Sequence, residues 1–204
     1  LTLWLAFDGN DYCFQNDYAY TWNRIVDALR TLADHNRAIK VSVEFKPYEP
    51  RLFSMIPNTG YTMYLLDRVG RDNVGITLDF CHLLMAKENP AMALAIAADA
   101  GRLFGVHLND GYSDLDGGLM FASVGLVRAV EFVYYLKKYD YQGMVYFDTF
   151  PVRERPSEEF EVNVATFRRI AERIDDIGID RLDALVRSGD AVKIQRMVLN
   201  ELIG

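Results

Sequence analysis

Apolar runs and helix-like stretches take turns along this chain, and that alternation limits the folds open to it. Segments 1–7 (LTLWLAF), 39–45 (IKVSVEF), 74–80 (VGITLDF), 105–110 (GVHLND) and 143–150 (GMVYFDTF) read as strands. Between them, 18–35 places Trp22, Ile25, Val26, Leu29 and Leu32 at helical spacing, and 59–70 closes on Gly70. Segment 89–104 has Pro90 near its start, where a missing N–H costs nothing, and 123–140 opens at Ser123, a capping residue type. Helical stretches with breaks near Gly178 and Gly189 follow.

Nearly continuous apolar strands alternating with helices predict a parallel sheet with right-handed crossovers. A doubly wound open sheet and a (β/α)8 TIM barrel both satisfy that pattern. A full barrel takes about 250 residues, so five strands in 204 residues would be its C-terminal portion. Leu1 enters directly into an apparent core strand, which predicts a longer full gene product, this chain being a fragment. Alone it would form an incomplete barrel with an exposed sheet edge.

A net charge of −7, with 22 Lys+Arg against 29 Asp+Glu and no basic cluster, argues against a nucleic-acid partner. No run approaches the roughly 18 apolar residues that cross a bilayer, and no signal-peptide pattern is present. Cys13 and Cys81 offer no disulfide framework and read as buried thiols. A cytoplasmic protein with no membrane partner is expected.

The strand ends carry the chemistry. Glu44 ends one apolar run, Asp79 the next, with His82 three positions on; His107, Asn109 and Asp110 lie in the following strand, and Asp148 in the last. In parallel α/β folds, the C-terminal strand ends form the site face. Any one such acid is more often a helix cap. Together, Glu44, Asp79, His107 and Asp148 would make an oxygen-rich site with one imidazole, suited to Mg²⁺, Mn²⁺ or Co²⁺. The loop after His107 holds Asp114 and Asp116, either as solvated turn acids or, with His82 and a bridging Asp79, as a second cation site. Lys46 follows the alternation of Glu44 into the same space, where an ammonium can steady a developing oxyanion. His35 reads as a solvated residue at a helix end, and Trp4, by pattern alone, as core. Tyr12, Phe14, Tyr18 and Tyr20 are expected to pack a loop or an interface.

In VEFKP, LDFCH, VHLND and YFDTF, taken in order and at their spacing, the chain resembles the xylose isomerase-like barrel superfamily of sugar isomerases and epimerases. EFKPYEP and HLND lean towards its rhamnose isomerase-like branch. The resemblance covers about residues 1 to 170. It implies that 1–156 correspond to barrel strands four to eight, and 157–204 to the last barrel helix and a helical tail. It implies an aldose–ketose isomerase acting on an unphosphorylated sugar by metal-assisted hydride shift, with one or two divalent ions. Glu44, Asp79, His107 and Asp148 would hold the first ion; His82, Asp114 and Asp116 would hold the second. Lys46 and His82 would be catalytic, with Trp4, Lys46 and Asn109 facing the substrate. The alternatives are a one-metal epimerase working by proton transfer and a non-catalytic sugar-binding relative. The tail packs on its own barrel or embraces a neighbour in a homodimer or homotetramer.

Overall fold

The computed structural model of the chain describes residues 1–5 and 8–203; Ala6 and Phe7, expected to finish the first strand, lie outside the described residues. In chain order the elements are β1 (Thr2–Trp4), α1 (Tyr18–His35), β2 (Val41–Glu44), β3 (Tyr48–Glu49), β4 (Leu52–Phe53), α2 (Thr59–Val69), β5 (Val74–Asp79), α3 (Phe80–Met85), α4 (Pro90–Asp99), β6 (Leu103–Leu108), α5 (Leu126–Lys138), β7 (Val145–Phe147), α6 (Pro156–Ile177), α7 (Ile179–Ser188) and α8 (Ala191–Met197). A π-helical turn over Val198–Leu202 follows α8.

The main sheet has five parallel strands in the order β1-β2-β5-β6-β7. The order follows the chain without reversal, as in a barrel; a doubly wound sheet would reverse at a switch point. The fold is therefore α/β and part of a (β/α)8 TIM barrel. One excursion, the antiparallel β3–β4 hairpin, was not legible as strand and sits directly after Glu44.

Alternation sorts each strand into two faces. Val41, Val43, Ile76, Leu78, Val106 and Leu108 are buried against the helical layer. The opposite face carries small and polar side chains: Ser42 Oγ and Thr77 Oγ1 lie 2.6 Å apart, and Thr2 Oγ1 is 3.4 Å from Thr77. Gly105 faces that hydroxyl layer. A Cβ there would stand 2.4 Å from Thr77 Oγ1, so only glycine fits. The layer floors the space into which the strand ends project.

Several element boundaries move from their sequence-based positions. The strand expected over 74–80 stops at Asp79, because Asp79 caps a short helix that takes Phe80. Leu103 and Phe104 join β6, since α4 ends at Asp99 and Gly101 (φ 65°) turns the chain back to the sheet. Ser123 does not cap α5. The helix has no side-chain cap; instead the buried Asp110 carboxylate, two residues past β6, accepts from Val124 N (2.9 Å) and Gly125 N (2.8 Å) and pins the turn that leads into α5. Cys81 is buried as expected, but Cys13 is exposed beside the fully exposed Phe14, and Tyr12, Tyr18 and Tyr20 are exposed too.

The tail breaks at Gly178 and Gly189 as the sequence predicts. It packs on the chain's own helices: Leu182, Met197 and Val198 are buried, and Asp183 accepts from the Tyr134 hydroxyl on α5 and pairs with Lys138 (2.9 Å). Truncating Leu182 to Ala should therefore cost about 2–5 kcal/mol in urea unfolding, as for other buried leucines. Truncating the exposed Val192 should change stability by less than about 0.5 kcal/mol.

Candidate metal centre

Parallel pairing brings the chemistry together. Asp79 on β5 is paired with His107 on β6, which is paired in turn with Tyr146 on β7. Glu44 ends β2 two residues before Lys46, and Asp148 follows β7, its N–H continuing the ladder to Leu108 O (3.1 Å). Glu44, Asp79, His107 and Asp148 each offer an atom such that all these atoms lie within 4.8 Å of one another. His107 Nδ1 faces the three carboxylates, 3.2 Å from Glu44 Oε1, 3.8 Å from Asp148 Oδ2 and 4.0 Å from Asp79 Oδ2.

Asp79 has two tasks. Its Oδ1 accepts from His82 N (2.9 Å) and so caps α3, which is why a helix begins where an apolar strand stops. That first turn carries His82 back over the site, its Nδ1 3.5 Å from Glu44 Oε1 and its Nε2 3.2 Å from Asp116 Oδ2. Asn109 supports Asp79 from below, donating from Nδ2 to both carboxylate oxygens (3.2 and 2.9 Å) and to Asp148 O (3.1 Å). Its Oδ1 accepts from Cys81 N (2.8 Å). The expectation that Asn109 faces substrate is thus corrected: it is fully buried and its polar atoms are already bonded.

Lys46 does reach the same space. Its ammonium lies 2.8 Å from Glu49 Oε1, 3.4 Å from Asp116 Oδ2 and 5.2 Å above the centre of the Trp4 ring. Glu49, on the unforeseen hairpin, is the partner that sequence reasoning missed; only its spacing of three residues from Lys46 hinted at it. Trp4 is half exposed rather than core, with Lys46 over its ring, so it lies on the site face. Asp114 is not gathered in: its side chain is exposed, and only its backbone carbonyl is engaged, by the Tyr48 hydroxyl (2.8 Å). The loop reaches the site through Asp116 alone.

The electrostatics are those of crowded acids. Burial pushes Asp79 up to about 6, against the pull of His82, and burial likewise raises Asp148. For both imidazoles burial opposes the charge, but the surrounding carboxylates win and raise them: Asp79, Asp116 and Glu44 for His82, and chiefly Glu44 for His107. Asp116 is held below its usual range despite burial, by His82 and Lys46. Burial pushes the Cys81 thiol up to about 12, so it stays neutral.

His82 Nδ1, His107 Nδ1 and Asp116 Oδ1 are buried without a hydrogen-bond partner. Buried polar atoms rarely go unpaired. His107 Nδ1, facing Glu44, Asp79 and Asp148, is free to serve as a metal donor. The oxygen-rich set with imidazole fits a hard or borderline divalent ion.

A family model described as xylose isomerase-like TIM barrel matches residues 4–170. The chain belongs to the xylose isomerase-like TIM barrel family. A xylose isomerase from Thermus thermophilus is 34% identical over 145 residues, which is 67% of this chain and 37% of that protein. The chain thus spans well under half the length of this curated relative. Two solved structures share the fold. A D-tagatose 3-epimerase-like protein is 17% identical with a TM-score of 0.66, covering 85% of this chain and 63% of the other. The 3-keto-D-glucoside 4-epimerase from E. coli is 20% identical with a TM-score of 0.62, covering 82% and 62%. Among the described residues, no helix is long and apolar enough to cross a membrane.

The family's site face carries a pH signature in this chain. Asp79 and Asp148 bind protons more tightly folded than unfolded, so they favour the folded state less as pH rises, for Asp79 up through about 6. His82 and His107, raised above 6.5, stabilise the fold below that pH and lose the contribution as pH rises through their folded values. The metal-free protein should therefore melt at a lower temperature at pH 8 than at pH 5.5. Added Mn²⁺ should raise the melting temperature more at pH 8, where protons no longer compete for the same atoms. Scanning calorimetry at both pH values, with and without Mn²⁺, measures both trends.

Proposed function

We propose that the chain is the metal-site portion of a divalent-cation-dependent aldose–ketose isomerase acting on an unphosphorylated sugar. The observation that carries the reading is the gathering of Glu44, Asp79, His107 and Asp148 within 4.8 Å, beside the ammonium of Lys46. The likeness to xylose isomerase supports it. We also propose that residues 1–156 correspond to barrel strands four to eight.

Glu44, Asp79, His107 and Asp148 would hold a Mn²⁺ or Mg²⁺ ion, which when bound polarises neighbouring sugar oxygens as a Lewis acid. In the aldose-to-ketose direction, hydride leaves C2 for C1, the C1 carbonyl oxygen gains a proton, and the C2 hydroxyl loses one. Lys46, held by Glu49 and Asp116, donates a hydrogen bond to the C1 oxygen as its charge grows. Asp116, whose Oδ1 has no hydrogen-bond partner, is placed to accept the C2 hydroxyl proton. The exposed ring of Trp4 offers an apolar face to the sugar and keeps water from the reacting carbons.

A second reading, sugar epimerisation by proton transfer with Glu44 and Asp148 as the acid/base pair, is favoured by one feature. Asp116 is already neutralised by Lys46 and His82, so the site needs only one ion. The isotope at substrate C2 separates the two. Hydride shift carries deuterium from C2 into the product, whereas proton transfer exchanges it with water. An aldose panel with Mn²⁺, run on the full-length protein, should show conversion with deuterium retained. In the same protein His107→Ala should lose bound metal by elemental analysis; unchanged metal content would sink the assignment.

A further inference from the structure

The loop that delivers Asp116 is held in an unusual way. It starts at Asp110, two residues past β6, and returns at Leu119, and those two residues close its base with a reciprocal pair of backbone hydrogen bonds (2.9 and 3.0 Å). Its base is further tied by Phe150 N, which donates to Gly118 O (2.8 Å). Between these ties the loop contains no helix or strand, so its carbonyls need other partners.

Three consecutive carbonyls find side chains, each from a different place in the fold. Lys87, in the turn after α3, donates from Nζ to Ser113 O (2.8 Å). Tyr48, on the β3–β4 hairpin, donates its hydroxyl to Asp114 O (2.8 Å). Cys81, on α3, places Sγ 3.6 Å from Leu115 O. The next residue is Asp116, with its carboxylate between His82 and Lys46. Ser113 and Lys87 are both non-glycine residues in the left-handed region (φ 71° and 59°). Such backbone persists where surrounding contacts over-determine it. Gly111 lets the loop lie against Cys81: a Cβ there would stand 2.7 Å from Sγ.

We infer that Lys87, Tyr48 and Cys81 form a clasp on the backbone of this loop, and that the clasp sets where Asp116 stands and, through the His82 ring that lies between Asp116 and Glu44, how tightly the site holds its cation. These are positioning residues. The inference rests on the proposed cation site for its consequence, but not for its geometry. A carboxylate on an unheld loop would lose conformational freedom each time it paired with Lys46 and His82. The clasp removes that cost in advance by fixing the three residues before Asp116. It also links the hairpin that supplies Glu49 to the loop that supplies Asp116, so both acids flanking Lys46 move together.

The test uses the wild-type chain, Tyr48→Phe, Lys87→Met and the double variant. Neither substitution removes a group from the proposed ligand set. Hydrogen exchange of the metal-free proteins should show the amides of Asp110 and Leu119, which close the loop base, exchanging about tenfold faster in each single variant and faster still in the double, with β2 and β5 unchanged. Unaltered protection of Asp110 and Leu119 in all variants would overturn the clasp. Mn²⁺ titration followed by electron paramagnetic resonance should show about tenfold weaker binding of an ion in the double variant. Faster exchange with identical Mn²⁺ affinity would refute the claim that the clasp sets cation binding. A wild-type chain that binds no Mn²⁺ would remove that claim and the proposed function together, while exchange would still judge the clasp itself.

Discussion

The arrangement depends on Asp79. It is a carboxylate buried almost completely at the end of a strand buried throughout, among other acids. That burial is tolerable because its oxygens are occupied: Asn109 donates to both, and the first turn of α3 donates to one. Its neighbours then arrange themselves around it. His107 stands in register beside it, His82 is one helical turn above, and Glu44 reaches in from the adjacent strand. A buried acid raised to about 6 is an expensive group in a metal-free protein. A divalent ion is what turns this crowding from a liability into a site.

The flanking groups divide into two sets with different mechanics. Glu44, His107 and Asp148 come from strands or their immediate ends, so the sheet ladder places them. Glu49 and Asp116 come from a hairpin and a loop, and meet at Lys46. Strand-borne donors are placed as precisely as the sheet. Loop-borne ones need added ties, which here are side chain to backbone carbonyl.

Charge balance draws the same line. Around Glu44, Asp79 and Asp148 the counter-charge is two imidazoles, whose protonation is what the carboxylates encourage in the absence of metal. Around Asp116 it is a permanent ammonium as well. The first group asks for a cation; the second already has one. This difference bears on whether a second ion enters.

Some of this was written in the sequence and some was not. Apolar runs taking turns with helical periodicity marked the five strands and their helices, because burial between the sheet and the helical layer demands it locally. The placement of Glu44, Asp79, His107 and Asp148 at successive strand ends was legible for the same reason, since strand direction puts those positions on one face. The roles of Asn109 and Asp110 were not. Both sit in VHLND, yet one holds Asp79 and the other pins the turn before α5, partners far away in sequence. Nor could Asp114 be told from Asp116, because a left-handed residue at Ser113 and ties from Tyr48, Lys87 and Cys81 decide which acid turns inward. Residue type and period are local properties and survive in one dimension. Which lone pair meets which donor depends on strand register and on backbone turns between distant segments, and only the folded chain sets those.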